Sequence, residues 1–385
     1  MSFPGAAHPA HYPGHQPPAP AHVVHPRRPG AEGAALWVTV AFVLGLCALI
    51  TLVVIGVSTG PVGAAVGLVL ALLPVYPVAA SLLWLDRLEA EPWSLLLFAA
   101  VWGGTAAVVI SLFFSLGAVA VTGATDAESA VVVAPVVEEV AKGLAVVGVL
   151  LIRRREFDGV VDGIVYAGMA GLGFAFVENI LYLGGAFLDG GVPGAIATFI
   201  GRGVMGPFAH PMFTAAFGVG VGLAVRARNP LARVGWPLLG LVVGIGLHAL
   251  WNYLSLTNFL VGYVLVQVPI FAAFVTFAVL ARRREARLIA QHLRTYVASG
   301  WITPAEHTML STSGARRQAR DWARRTAGGS GRVAMRDFQA VASELAFLRE
   351  RMEHHAAPPD AQQSEMDLLQ TMWHLRSGFL PAVAR

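Results

Sequence analysis

The chain reads as an all-α polytopic membrane protein, about eight transmembrane helices followed by a cytosolic helical C-terminal region. Composition points there first: of 385 residues, 56% are hydrophobic and only 13% charged, and the mean hydropathy is +0.64. Second, charge-free apolar runs of about 20 residues recur from Leu36 to Leu280, each able to cross a hydrocarbon core of roughly 30 Å. Third, the segments joining those runs alternate between Arg-bearing and Arg-free, as expected of a chain threading a membrane.

Residues 1–35 form a Pro- and His-rich tail without an apolar h-region, so no cleavable signal peptide is expected there. Its five histidines before Gly30 could hold a metal weakly, but the composition is that of a disordered cytosolic tail. Eight spans follow, at 36–58, 62–85, 93–120, 129–152, 159–187, 197–225, 234–256 and 259–281. Arg27 and Arg28 precede the first and Arg87 follows the second. Arg153, Arg154 and Arg155 follow the fourth, Arg226, Arg228 and Arg233 the sixth, and Arg282, Arg283, Arg284 and Arg287 the eighth. The connections at VSTGP, TGATDAE, LDGGVPG and SLTN carry no Lys or Arg. The positive-inside rule then puts both termini in the cytoplasm of a multi-pass cell-membrane protein.

A basic balance with a pI of 9.6 is explained by these cytosolic arginines, so no nucleic-acid partner is expected. The single Cys47 excludes a disulfide framework and a cysteine metal site. Residues 36–281 are the membrane domain and 282–385 the cytosolic helical region. In the latter, TPAE at Thr303–Glu306 reads as a capping box with Pro at the first helical position. Phe338, Val341, Leu345, Leu348 and Met352 make one apolar helix stripe, and AGGSGR reads as a flexible break.

Inside the apolar spans stand residues that lipid does not tolerate without a reason. A charge at a bilayer centre costs about 2.5–3.5 kcal/mol on insertion scales. Yet VVVAPVVEEVAKG carries Glu138, Glu139 and Lys142 within one turn. Span 5 adds Glu178 and Asn179, span 6 Arg202 and His210, and span 7 His248 and Asn252 with Trp251 between them. Glu138 and Lys142 lie four apart on one face, and so do His248 and Asn252. At about 1.5 Å per residue, Glu138 and Glu178 each lie about 13 Å below the outer ends of their helices, His248 about 12 Å and His210 about 20 Å. Four helices of alternating direction thus offer Glu, Glu, His and His in the outer half of the bilayer.

A carboxylate can take a proton from water, imidazoles can hold a divalent metal or polarise a carbonyl, and an Asn amide can donate to an oxyanion. Hydrolysis of an amide fits this set. The catalytic candidates are Glu138, Glu139, Glu178, His210, His248 and Asn252, supported by Lys142, Asn179, Arg202 and Trp251. Either glutamate of the pair can be the base. Glu138 is favoured because Lys142 shares its face, with Glu139 either orienting His248 or ligating a metal with His210 and His248. Zn²⁺ suits such donors, although no HExxH is present to specify it.

EEVAK (Glu138–Lys142), FAFVEN (Phe174–Asn179), HPMFTAAFG (His210–Gly218) and HALWN (His248–Asn252) resemble, in order, the motifs of the PrsW intramembrane proteases. LDRLEAEPW (Leu85–Trp93) and DGIVYAG (Asp162–Gly168) are similar to that family's cytosolic-edge signatures, so the resemblance covers about residues 74–256. The EE pair and the HxxxN pattern also resemble the distantly related CAAX prenyl endopeptidases. The resemblance implies an α-helical intramembrane peptidase, often classed as a metalloprotease, acting on a membrane-anchored protein substrate. Some members of the family cleave an anti-sigma factor.

Other mechanisms fit less well. Asp158 and Asp162 sit on one helix at a cytosolic edge, where they cap span 5 rather than form an aspartyl dyad. A proton- or ion-coupled transporter would also bury Glu and His, but spans 1–4 and 5–8 show no inverted repeat. A catalytically silent membrane scaffold is the remaining alternative.

Overall fold

A computed structural model describes residues 31–88, 90–153, 157, 159–353 and 360–380. The Pro/His-rich stretch before Ala31, with Arg27 and Arg28, lies outside the described residues, as do Arg154, Arg155 and Asp158. Among the described residues every element is helical. Residues 31–282 form one compact unit and 283–385 belong to another.

In the first unit α1 (Ala31–Leu85) is followed by α2 (Trp93–Trp102) and α3 (Val108–Thr122), joined by a π-helical turn at Gly103–Ala107. A short α4 (Asp126–Glu128) and a π-helical turn at Ser129–Val133 lead into α5 (Ala134–Ile152). Next come α6 (Val160–Phe199), a π-helical segment at Ile200–Met205, α7 (Ala209–Arg226) and α8 (Pro230–Thr257). Finally α9 (Phe259–Gly262) and a π-helical turn at Tyr263–Gln267 open α10 (Val268–His292).

Two of these helices turn back on themselves. A straight helix as long as α1 would place its ends about 80 Å apart. Instead Trp37, near its start, and Leu85, at its end, pack in one cluster with Phe98. The reversal is at Gly60, whose φ of 59° is readily adopted only without a Cβ. In α6 the same conformation at Gly191 (φ 60°), followed by Pro193, folds the chain back. Gly194 therefore meets the Ala186 carbonyl, and Arg202 reaches Asn179.

Among the described residues, five helices are long and apolar enough to cross a membrane: Trp37–Leu85, Trp93–Thr122, Val160–Arg226, Pro230–Thr257 and Phe259–Ala298. α5 is not among them, because Glu138, Glu139 and Lys142 interrupt its apolar run. Burial is inverted relative to a water-soluble protein. Glu139, Lys142 and His248 are at most 2% exposed, while Val57, Phe113 and Val121 are more than 70% exposed on the outside. That is the pattern of a chain whose solvent is lipid.

α6 is the centre of the unit, with α1, α2, α5 and α7 packed on it, and α8 packs on α7 and α5. The α6–α7 contact is backbone to backbone. A Cβ on Gly163 would lie 2.0 Å from the Gly218 carbonyl, and one on Gly171 2.6 Å from that of His210. This pairing runs antiparallel and brings His210 against the buried middle of α6. α8 returns antiparallel to α7, Gly244 meeting the Phe213 carbonyl, so His248 arrives beside His210. Near the start of α6 the Gly159 N–H donates to Asp162 at 2.7 Å, the expected cap.

In the second unit α11 (Arg294–Ala298), α12 (Pro304–Leu310), α13 (Ser313–Glu353) and α14 (Ala361–Arg376) follow. Thr303 and Glu306 form the expected reciprocal capping box, with Pro304 at the first helical position. Phe338, Leu345 and Leu348 are buried. The expected flexible AGGSGR break is narrower: α13 kinks at Ala327 and Gly328 (φ 69°) and resumes at once.

Candidate active site

α5 presents Glu138, Glu139 and Lys142 toward α6, α7 and α8. Lys142 is fully buried and organises the rest. Its Nζ lies 2.6 Å from Glu139 Oε1, 3.6 Å from Glu138 Oε2 and 3.0 Å from His210 Nδ1. It also sits 4.3 Å from the centre of the Phe174 ring, which supplies a cation–π contact.

Glu139 is held on every side. Besides Lys142 it meets His248 Nδ1 at 2.9 Å, and its Oε2 accepts from Thr214 Oγ1 at 2.9 Å. Because a carboxylate only accepts, His248 donates from Nδ1 to Glu139, and its Nε2 faces Glu138 Oε2, 3.9 Å away. His210 is arranged the other way round. Lys142 donates to its Nδ1, so its Nε2–H donates to Glu178 Oε2 at 2.7 Å. Glu178 is held in turn by Arg202 Nη2 at 2.5 Å, while Arg202 Nε donates to Asn179 Oδ1 at 2.8 Å and its guanidinium stacks on Tyr182.

Three carboxylates thus face two cations, and Glu138 is the least satisfied of them. Its Oε2 is buried without a hydrogen-bond partner among the described residues. Ligand atoms of Glu138, His210 and His248 all lie within 4.8 Å of one another, close enough to share a metal ion. A carboxylate oxygen without a hydrogen-bond partner and two imidazoles are donors that fit Zn²⁺. His248 and Glu138 already face that point. His210 would give up one of its two present partners to ligate.

The sequence left Glu139 either orienting His248 or ligating a metal with His210 and His248. In the structure it is a Glu138 oxygen that lies within 4.8 Å of ligand atoms of both histidines, while Glu139 points to the α7–α8 seam, where Thr214 and His248 Nδ1 contact its oxygens. Asn252 Nδ2 donates to the Ala130 carbonyl at 2.7 Å and ties α8 to the π-helical turn before α5. Trp251 packs against Phe213 with ring centroids 6.5 Å apart. His210, expected deeper than its partners, lies level with His248, ring centroids 5.0 Å apart. The reason is that α7 begins only at Ala209, after a break at Gly206–Phe208 that includes Pro207. Thr214 was not singled out in the sequence, although HPMFT places it four residues after His210 on the same face. Phe213, stacked on His248 at 5.0 Å, was missed too.

A sequence model of the PrsW family intramembrane metalloproteases matches residues 91–275. Protease PrsW of Geobacillus kaustophilus is 31% identical over 204 residues, covering 52% of this chain and 84% of that protein. Protease PrsW of Bacillus subtilis is 33% identical over 138 residues (35% of this chain, 57% of that protein). That of Clostridioides difficile is 28% identical over 128 residues (33% and 52%). No solved structure matches the chain. The matched region 91–275 encloses every residue of the cluster, and the Geobacillus protein aligns over most of its own length; the chain belongs to the PrsW family of intramembrane metalloproteases.

Proposed function

We propose that this chain is an endopeptidase that hydrolyses peptide bonds of membrane-anchored proteins, with water activated at Glu138. The observation that carries the reading is the Glu138 Oε2 atom, buried, without a hydrogen-bond partner among the described residues and close to His248 and His210. Glu138 accepts the water proton as the water oxygen bonds to the scissile carbonyl carbon. The same proton then passes to the departing amine as the carbon–nitrogen bond breaks. Glu139 and Thr214 hold His248 with Nε2 facing Glu138, and Lys142 fixes both glutamates and His210 in register. Arg202 and Asn179 anchor Glu178 beside His210.

Glu138, His210 and His248 would hold a Zn²⁺ ion, Glu138 through one carboxylate oxygen while the other takes the proton. When bound, it supplies Lewis-acid polarisation and a more acidic water.

In this reading the chain crosses the membrane eight times, α1 and the α6-to-α7 stretch each contributing two crossings and α5 one. The Arg-rich connections and both termini lie in the cytoplasm. Residues 36–281 carry out catalysis. An anti-sigma factor with a single span is the substrate suggested by the family resemblance.

The test compares the membrane-anchored proteins of cells expressing the wild-type chain with those of cells expressing His248→Ala. The purified chain in vesicles is then given the candidate substrates. A single-span protein cut within its membrane segment only by the wild-type chain is expected. An identical set of fragments from both cell lines would refute the reading.

A further inference from the structure

Beside the cluster lies a cleft of about 180 Å³ that the catalytic groups do not use. It is walled by Met205, Phe208, Met212, Trp251 and Phe271, with Gln267 as its polar group. An apolar cavity of about 150 Å³ accepts benzene, so this cleft accepts one large apolar side chain. Its mouth is at Val204 and Val268, both exposed on the outside of the unit. Its inner wall adjoins the site through Trp251, which packs on Phe213, the ring stacked on His248.

Gln267 is 5% exposed, and its Nε2 has no hydrogen-bond partner among the described residues. It ends the π-helical turn Tyr263–Gln267, a distortion frequent at functional sites. Across the cleft, Tyr263 donates its hydroxyl to the Met205 carbonyl at 3.0 Å, tying this turn to the π-helical segment Ile200–Met205. A buried amide without a partner destabilises a fold. Its persistence at the wall of a cleft points to an acceptor that arrives from outside.

A peptide bond in a membrane helix must leave the helix before water can reach it. Its freed carbonyls then have no water to bond in the hydrocarbon region. We propose that the cleft is the subsite for an apolar residue next to the scissile bond of the substrate. Gln267 Nε2 donates to the backbone carbonyl of the unwound segment there, positioning the bond for Glu138. This rests on the peptidase reading above.

The test uses the full-length chain in phosphatidylethanolamine/phosphatidylglycerol vesicles and a single-span peptide that the wild-type chain cleaves. The residues flanking the cut are varied among Ala, Leu and Phe. Gln267→Leu should lower kcat/KM about tenfold while leaving the unfolding temperature equal or higher, since it removes an unpartnered amide. Val268→Trp, which narrows the mouth, should reverse the preference for Leu or Phe over Ala. In Glu138→Gln, Val268→p-benzoylphenylalanine should crosslink to the residues flanking the cut, a readout independent of turnover. Unchanged kcat/KM and side-chain preference in both variants, or crosslinks only to distant residues, would overturn the subsite while leaving the peptidase reading intact. Cleavage at the wild-type rate by Glu138→Gln, or no peptide cleaved by the wild-type chain, would overturn the reading beneath it.

Discussion

Replacing Glu139 by Gln separates the two glutamates of the EE pair. The substitution keeps the side-chain shape but removes the charge that Lys142 meets at 2.6 Å. It also puts an amide where one oxygen now accepts from Thr214 and the other meets His248. With its N–H₂ turned to Thr214, the amide can donate to that hydroxyl, which then donates to the His210 carbonyl at 3.1 Å, so the main loss is the charge opposite Lys142 and His248. Removing one partner of a buried ion pair costs about 3–5 kcal/mol. Here the lower end applies, because Lys142 retains Glu138 at 3.6 Å and His210 at 3.0 Å. For turnover, partners of metal-bound histidines are worth about 10–100-fold, and the wrong histidine tautomer in a protease triad about 10⁴-fold. A loss of about 10²–10³ in kcat is expected from the combination. The assay pairs cleavage of a single-span substrate in vesicles with the unfolding midpoint in detergent. Glu139→Gln should lose on both, whereas Glu138→Gln should lose only turnover. Glu139→Gln with a wild-type midpoint and kcat would refute the argument that Glu139 orients His248.

Thr214→Val removes the donor to Glu139 Oε2 and should lower stability by about 1 kcal/mol and kcat several-fold, measured in the same two assays. Asn252→Ala breaks the tie to Ala130 and should slow cleavage less than about tenfold, whereas an oxyanion donor would show about 10²–10³. A chelator should abolish cleavage and added Zn²⁺ restore it; full activity in protein shown by elemental analysis to be metal-free would assign the chemistry to Glu138 alone.

The helical class and most of the cluster were legible because lipid makes polar residues conspicuous. Glu138, Glu139, Lys142, Glu178, His210 and His248 stand out from apolar runs, and counting helix rise aligned Glu138, Glu178 and His248. The count misplaced His210 because a short break hides in an apolar stretch: Gly206–Phe208 ends one helical segment, and α7 starts anew at Ala209. The roles of Glu138 and Glu139 depend on the rotation of α5 about its axis. That rotation is set by packing against α6 and α8, so spacing alone left the pair interchangeable. Thr214 carries no charge and looks like any small helix residue until Glu139 is seen beside it. The donor function of Asn252 was readable, but its acceptor, a main-chain carbonyl on another helix, has no sequence signature. Gln267 was silent for a related reason, since a neutral amide matters only once its neighbours are known to lack an acceptor.

The central claim is that Glu138, facing His210 and His248, performs the hydrolysis. Single-turnover cleavage of a membrane-anchored substrate by purified Glu138→Gln in vesicles tests it most directly. The expected result is a rate at least about 10²-fold below wild type, with the unfolding midpoint unchanged and the substrate still bound. Cleavage at the wild-type rate would contradict it.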